Sequence, residues 1–342
     1  MTQRVAILGA TGAVGGTMVR VLEERGYPVG ELLLLSTQRS AGRHVPFRGR
    51  TLEVKEAEPG SFAGIDLALF SGGTEASRQW APIARAAGAV VIDNSQAFRY
   101  DDDVPLVVPE VNPEALAAQR GLIANPNCST IQLVLALAPL HRAFGLERVI
   151  VSTYQSVSGT GADALAELDD QVRADAEGRP ATAQVYAHPI AFNVLPHVDD
   201  AMPGGACREE MKMAWETRKI LGLPNLRLVA TTVRVPVRVA HCEAVTLEFE
   251  RAPDPAAARA LLAAAPGVLV LDDPEHHLYP TPLLAAGRDE AFVGRIRRDP
   301  SHERGLCLFI ACDNLRKGAA LNAVQIAETL RARHRAGVAA PR

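Results

Sequence analysis

Gly9-Ala10-Thr11-Gly12-Ala13-Val14-Gly15, directly after the apolar run Arg4 to Leu8, decides how the first half of this chain folds. A strand that breaks into a glycine turn and opens a helix, Ala13 to Arg25, is the beginning of a parallel strand–helix–strand unit. Gly9 allows the tight turn, Gly12 lets a diphosphate approach bare backbone, and Gly15 lets helix and strand pack closely. Working outward, the alternation repeats. Strands are expected at Glu31 to Ser36, Asp66 to Phe70, Val90 to Asp93, Leu106 to Val108 and Gly121 to Ala124, with helices at Thr74 to Ala87 and Pro113 to Arg120. The fold class that follows is α/β, with a Rossmann-like, doubly wound parallel sheet.

The texture changes further on. Strand-like runs at Arg148 to Val157, Leu226 to Val235, Glu243 to Phe249 and Leu306 to Cys312 have fewer helices between them, which predicts an α+β domain on a mostly antiparallel sheet. The small residues Gly318, Ala319 and Ala320 open an apolar stripe, Ala320, Ala323, Val324, Ala327 and Leu330, whose helix can return to the first domain. The expected division is a dinucleotide-binding domain over 1–128, completed by a C-terminal helix over 316–335, and a catalytic and oligomerisation domain over 129–315.

With 342 residues, 48% hydrophobic and 22% charged, two globular domains are in keeping with composition. A net charge of -3 gives no electrostatic footprint for nucleic acid or an anionic membrane. Five cysteines without a C-x-x-C pair argue against disulfides and a structural metal, so no metal is expected. An apolar strand from Val5 leaves no room for a leader, and no run reaches membrane-span length, so the expected location is the cytoplasm.

The second strand bears on the cofactor. An NAD site usually closes this strand with an acidic residue on the ribose. Here Ser36-Thr37-Gln38-Arg39-Ser40 follows four leucines, with Arg43 behind, and hydroxyls with guanidinium suit a 2′-phosphate, which favours NADP. Ser71-Gly72-Gly73-Thr74 ends the next strand and offers further bare backbone.

Asn125-Pro126-Asn127-Cys128-Ser129-Thr130 sets one thiol at the mouth of a helix apolar nearly all round, Ile131 to Leu140. Unpaired N–H groups and the positive dipole end there favour a thiolate, the form that acts as a nucleophile. A thiol can carry an acyl group as a thioester while hydride moves at that carbon, so cysteine plus nicotinamide points to aldehyde and acyl-phosphate chemistry. Gln155 ends a strand before the turn Ser158-Gly159 and is either a ligand to the reacting centre or a surface amide. Arg234 and His241 flank Val235-Pro236-Val237-Arg238-Val239-Ala240; a buried Arg wants a carboxylate, and His241 has the intrinsic pKa to pass protons. Glu209 and Lys212 lie one turn apart on a helix and, on spacing alone, read as a surface ion pair. Arg99 supplies another guanidinium.

Taken together, Gly9 to Gly15, Asp93-Asn94-Ser95, Asn125 to Cys128, Glu209-Glu210-Met211-Lys212, Arg234-Val235-Pro236-Val237 and Asp313-Asn314-Leu315-Arg316-Lys317-Gly318-Ala319-Ala320 resemble the aspartate-semialdehyde dehydrogenase family from Val5 to about Leu330. The resemblance implies a homodimer or homotetramer that reduces L-aspartyl 4-phosphate with NADPH to L-aspartate 4-semialdehyde and phosphate, upstream of lysine, threonine and methionine. It makes Cys128 the thioester-forming nucleophile, His241 the acid/base and Gln155 the residue that positions the acyl group. Arg234 would bind the substrate α-carboxylate and Glu209 its amino group, Arg99 and Lys212 would hold phosphate, and Asn127 belongs to the same substrate set. For NADP it implies Gly9, Thr11, Gly12, Ala13 and Val14 at the diphosphate, Arg39 and Ser40 at the 2′-phosphate, and Gly72, Ser158, Gly159 and Asn314 along the remainder. The chain departs from the family pattern at Ala240-His241-Cys242, Ala311-Cys312 and Ala206-Cys207, which leaves Cys242 and Cys207 as candidates for redox sensitivity. The competing readings are an N-acetyl-γ-glutamyl-phosphate reductase and a non-catalytic dinucleotide-binding redox sensor.

Overall fold

The computed structural model describes residues 2–336, apart from the side chain of Arg39. It forms two compact units, one running to Asn127 and resuming at Ala319, the other spanning Cys128–Gly318.

The first unit is built on β1 (Gln3–Leu8), α1 (Ala13–Glu24), β2 (Val29–Ser36), β3 (His44–Phe47), β4 (Arg50–Glu56), β5 (Leu67–Phe70), α2 (Thr74–Ala86), β6 (Val90–Asp93) and β7 (Leu122–Ala124). Val5, Ala6, Ile7 and Leu8 are apolar without alternation, and all four are buried, as a strand covered on both faces must be. The sheet order is β3-β4-β2-β1-β5-β6-β7. Its neighbours run parallel except for the β3–β4 hairpin, which the sequence reading did not anticipate. From β1 the chain first builds outward through β2 and then returns to β5 on the other side. The strand order therefore reverses between β1 and β5, and ligands of such sheets bind at the carboxyl ends of the strands at that point.

Leu106 to Val108, expected as a strand, makes only a single parallel bridge, Leu106 to Ala124. The Asn112 side chain takes a strand partner's place there: its Oδ1 accepts the Val108 N–H and its Nδ2 donates to the Leu106 carbonyl, each at 2.9 Å. The expected helix Pro113 to Arg120 is a short 3-10 helix, Pro113–Ala118.

The second unit comprises α3 (Cys128–Phe144), β8 (Leu146–Gln155), α4 (Ala162–Ala176), α5 (Arg208–Leu221), β9 (Arg227–Arg234), β10 (His241–Phe249), α6 (Pro255–Ala263), β11 (Val268–Val270), α7 (Pro282–Ala285), β12 (Ala291–Arg298) and β13 (Gly305–Cys312). Its six-stranded sheet, β11-β12-β13-β10-β8-β9, is antiparallel at its three central pairings and parallel at both outer ones. α4, α6, β11 and β12 were not foreseen. α3 is buried from Ser129 through Ala138 and packs on β8, β10, β13, α5 and α6. The opposite sheet face alternates outward and leaves Tyr154 and Val229 exposed.

After β13, Asp313 Oδ1 accepts the N–H groups of Leu315 and Arg316, at 2.8 and 2.9 Å. The Gly318 N–H reaches back five residues to the Asp313 carbonyl at 3.0 Å, which widens Arg316–Ala320 into a π-helical turn. Regular helix begins only at α8 (Leu321–Arg335), five residues later than expected. Leu321, Val324, Ala327 and Leu330 join Val5, Ile7, Met18, Leu22 and Leu34 in one core. At roughly 1.5–3 kcal/mol for each large apolar side chain removed from water, that stripe is ample to fasten α8 to the first unit. Among the described residues no helix is long and apolar enough to cross a membrane.

Candidate active site

In the first unit, the turn after β1 holds the shape its glycines predict. Gly9 has φ +89°, and a Cβ there would lie 2.7 Å from the Gly72 nitrogen; a Cβ on Gly15 would lie 2.1 Å from the Gly9 carbonyl oxygen. Both positions exclude any side chain, and Gly72, at the end of β5, is thereby fixed against the turn. The helix start at Gly12 carries no side-chain cap, so the first-turn N–H groups keep an unclaimed anion-binding capacity. The end of β2 lies against the same turn, since the Gly9 N–H donates to the Leu35 carbonyl at 2.8 Å. Gln38–Ser40 form a 3-10 turn there; the Arg39 side chain lies outside the described residues. This cradle of bare backbone at the sheet's reversal point fits a dinucleotide diphosphate.

Arg99, buried, donates from Nε to the Asn125 carbonyl and from one terminal nitrogen to the Asn94 carbonyl, both at 2.9 Å. The amide of Asn125 bridges Asn94 Oδ1, the Ala319 carbonyl and Asn322 Nδ2. The segment leading to Asn127 is thus pinned by buried amides that the sequence reading did not assign.

In the second unit α3 begins at Cys128, and the thiol is partly exposed. A Cβ on Gly318 would lie 3.0 Å from Cys128 Cβ, so the small residue expected to permit close approach does so at this thiol. Gln155, one of the residues with an alternative surface reading, is buried: its Nε2 donates to Ser129 Oγ at 3.0 Å and to Glu209 Oε1 at 3.1 Å. Glu209 and Lys212 are buried as well, contrary to a surface pair. Lys212 Nζ bonds Glu209 Oε2 at 3.2 Å and also Asp199 Oδ2, a partner from the irregular stretch before α5 that no motif flagged. Burial alone would raise the Asp199 carboxyl, but the hydrogen bond and charge of Lys212 outweigh it and hold it below the usual carboxylate range.

Arg234 pairs with Gln155 across β8 and β9 and donates from Nη1 to the Ser156 carbonyl at 2.7 Å. Its Nε is buried with no hydrogen-bond partner. His241 is fully buried, and its Nε2 also has none. Burial, with the Arg234 charge adding to it, pushes the imidazole well below its usual range, against a smaller opposing effect of the Ala240 backbone, so the ring is neutral near pH 7. The backbone of Gly159 packs on both groups: a Cβ there would lie 3.1 Å from Arg234 Nη1 and from His241 Nε2. Asn314 Oδ1 accepts from the Ala240 N–H at 2.9 Å and from the Ser156 and Ser158 hydroxyls at 3.1 Å, which draws Ser158 and Asn314 into the imidazole's surroundings.

Two of the other thiols are held in the protonated form by burial. Burial, with Glu243 nearby, pushes Cys242 up to about 12, and Cys312 is raised well above the usual thiol range by burial first. Cys207 Sγ meets Thr232 Oγ1 at 3.1 Å while the Cys207 N–H is held by Glu210, so it serves the start of α5. Glu243 is a group the sequence reading missed. It is fully buried, neither carboxyl oxygen has a hydrogen bond of normal geometry, and burial keeps it well above the carboxylate range, an effect that Gln132 on α3 only partly offsets. Among the described residues no group of three His, Cys, Asp or Glu side chains could hold a metal ion.

Two family models describe the same halves: "Semialdehyde dehydrogenase, NAD binding domain" matches residues 4–119, and "Semialdehyde dehydrogenase, dimerisation domain" matches residues 137–317. A glycine-turn sheet joined to a cysteine-bearing unit is therefore of the semialdehyde dehydrogenase class. The aspartate-semialdehyde dehydrogenase of Aquifex aeolicus is 52% identical over 96% of this chain and 98% of its own length. The crystal structure of aspartate semialdehyde dehydrogenase II complexed with ASA from Vibrio cholerae is similar at 48% identity and TM-score 0.95, covering 97% of this chain and 99% of that one. The enzyme with NADP from Candida albicans is similar at 27% identity and TM-score 0.76, covering 98% and 99%. The chain belongs to the aspartate-semialdehyde dehydrogenase family.

Proposed function

We propose that this protein catalyses the NADPH-dependent reductive dephosphorylation of L-aspartyl 4-phosphate to L-aspartate 4-semialdehyde, through a thioester on Cys128. The observation that carries this reading is one connected set of buried groups in the second unit. Ser129, next to the thiol, is joined by Gln155 to Glu209, and Gln155 is the strand neighbour of Arg234, which shares the Gly159 backbone with His241. An amino acid acyl phosphate needs those partners: a nucleophile for the acyl carbon, a guanidinium for the α-carboxylate, a carboxylate for the amino group and an imidazole for the reacting oxygen.

In this reading the Cys128 thiolate, favoured by the helix start, attacks the acyl carbon, and the carbon–oxygen bond to phosphate breaks with its electron pair leaving on phosphate. Lys212 and Arg99 receive the departing phosphate, and Asn127 lines the substrate. Arg234 binds the α-carboxylate, its unpartnered Nε being the position that desolvation leaves waiting for an anion. Gln155 orients the acyl oxygen, and His241 serves that oxygen as acid/base. Gly9, Thr11, Gly12, Ala13, Val14 and Gly72 hold the dinucleotide diphosphate, Arg39 and Ser40 a 2′-phosphate, and Ser158, Gly159 and Asn314 the nicotinamide end. The cofactor, when bound, supplies or accepts the hydride. The family's relation to the name "dimerisation domain" and the exposed Tyr154 and Val229 on the open sheet face support a homodimer.

The test is a spectrophotometric assay of the reverse direction with L-aspartate 4-semialdehyde. Reduction of NADP that requires phosphate is expected, weaker with NAD, and absent with N-acetyl-glutamate 5-semialdehyde. Absence of phosphate-dependent reduction with the aspartate compound defeats the proposal.

A further inference from the structure

Ala240, the residue before His241, has φ +77°, a left-handed conformation unfavourable for a residue with a side chain. It is retained by Asn314 Oδ1, which accepts its N–H. That same oxygen accepts the Ser156 hydroxyl, and the Ser156 backbone N–H donates to His241 Nδ1 at 3.0 Å, with Ser156 Oγ 3.0 Å from the same nitrogen. A backbone N–H can only donate, so Nδ1 must present its lone pair. A neutral imidazole carries one proton, and here it falls to Nε2, the nitrogen that faces Gly159 and Arg234. The Ala240 carbonyl, and Ser156 Oγ while its hydroxyl is given to Asn314, are the acceptors on that side of the ring. The carbonyl makes no hydrogen bond of normal geometry with it, the Ser156 hydroxyl can turn to donate to Nδ1, and a proton on Nδ1 would be driven against the Ser156 N–H, which has no such freedom.

We infer that Ser156, through its backbone N–H, is a positioning residue that fixes His241 as the Nε2–H tautomer, so that the ring meets the substrate oxygen as a hydrogen-bond donor and does not act as the base for the Cys128 thiol. This rests on the reading of Cys128 and His241 given above. When thiolate adds to the aldehyde, the carbon–sulfur bond forms, the carbonyl π pair moves onto oxygen, and Nε2–H donates to that oxyanion. No proton leaves the ring for the thiol in this addition, so the acid/base service of His241 to the oxygen begins from its Nε2–H. In the reductive direction the step runs backwards, the oxyanion pair re-forming the carbonyl as the carbon–sulfur bond breaks and sulfur leaves as thiolate. Thiolate must then come from the start of α3 and not from His241. Asn314 acts one step further back, by holding Ala240 and the Ser156 hydroxyl together.

The test is a long-range proton–nitrogen spectrum of the full-length protein labelled with 15N-histidine near neutral pH, the His241 ring being assigned by its loss in His241→Ala. A pyrrole-type Nε2 with a pyridine-type Nδ1 is expected. A pyrrole-type Nδ1, or an imidazolium, overturns the inference. Ser156→Ala keeps the N–H and is expected to keep that signature. Ser156→Pro removes the N–H at a residue whose φ of −66° proline can adopt, and is expected to populate the Nδ1–H form. Its kcat is expected to fall by about tenfold or more while KM for the semialdehyde stays within about threefold. An unchanged tautomer in a folded Ser156→Pro protein overturns the positioning role. The spectrum does not depend on turnover, so an expected spectrum with a fully active Cys128→Ala protein would sink the proposed function and leave the tautomer standing.

Discussion

At the scale of single residues the site is defined by groups that burial has left incomplete. Arg234 combines one satisfied nitrogen, donating to Ser156, with an Nε that has no partner. A lysine would keep the charge and lose the fork, so Arg234→Lys is expected to raise KM for the semialdehyde by about 10- to 100-fold. Steady-state kinetics at saturating NADP and phosphate check this, and an unchanged KM would remove Arg234 from the substrate's carboxylate. Glu243 makes the complementary point for stability. In the folded protein burial holds its carboxyl well above the usual range and so favours the protonated form, whereas in the unfolded chain it ionises around its ordinary value of 4.5. The folded state then binds the extra proton, so this group's contribution to stability declines as pH rises from 4.5 toward the folded pKa. Glu243→Gln keeps the shape without the titration. Its Tm advantage over the wild-type protein is expected to widen from pH 4.5 upward in calorimetry; a constant offset would show that Glu243 is not held neutral.

Among the elements, the most consequential contact is the π-turn Arg316–Ala320 behind the first residue of α3. Gly318→Ala would set a methyl 3.0 Å from Cys128 Cβ and push the thiol off its position by a few tenths of an ångström. Its kcat is expected to fall about tenfold with little change in Tm, because reacting groups tolerate such displacement poorly while the core does not feel it. Full activity in stopped assays would show that Cys128 has slack. This turn also shows where reading the sequence succeeds and where it stops. Gly318-Ala319-Ala320 signalled close approach because small residues mean that anywhere, but the π widening depends on Asp313 and could not be read from the helical stripe. The glycine turn was legible for the same reason at Gly9 and Gly15, which answer to local steric demands, whereas Gly12 has an ordinary φ of −77° and a Cβ on it would meet nothing nearer than 3.4 Å. Leu106 to Val108 looked like a strand by composition and is not one, because a side-chain amide four residues from Val108 substitutes for a strand. Glu209 and Lys212 looked like a surface pair because helical spacing says nothing of what covers the face, and Asp199 and Ser156 carried no signal at all: one lies in an irregular stretch, the other acts through its backbone.

For the whole molecule, the open face of the second sheet bears on assembly. A patch that alternates outward and exposes Tyr154 and Val229 suits a two-fold contact, in which the same surface meets itself. Sedimentation is expected to give twice the mass of one chain, and Val229→Glu, which brings like charges together across such a contact, to shift it toward a single chain; a wild-type monomer would contradict the assembly. The proposed reaction depends on one sulfur atom, that of Cys128, becoming esterified during turnover. The most direct measurement is mass spectrometry of protein acid-quenched during turnover with L-aspartate 4-semialdehyde and NADP before phosphate is added. An aspartyl thioester on the peptide containing Cys128, lost on adding phosphate and absent from an inactive Cys128→Ala protein, is the predicted result. Turnover with no adduct on that peptide, and a Cys128→Ala protein that keeps activity within about tenfold of wild type, would contradict it.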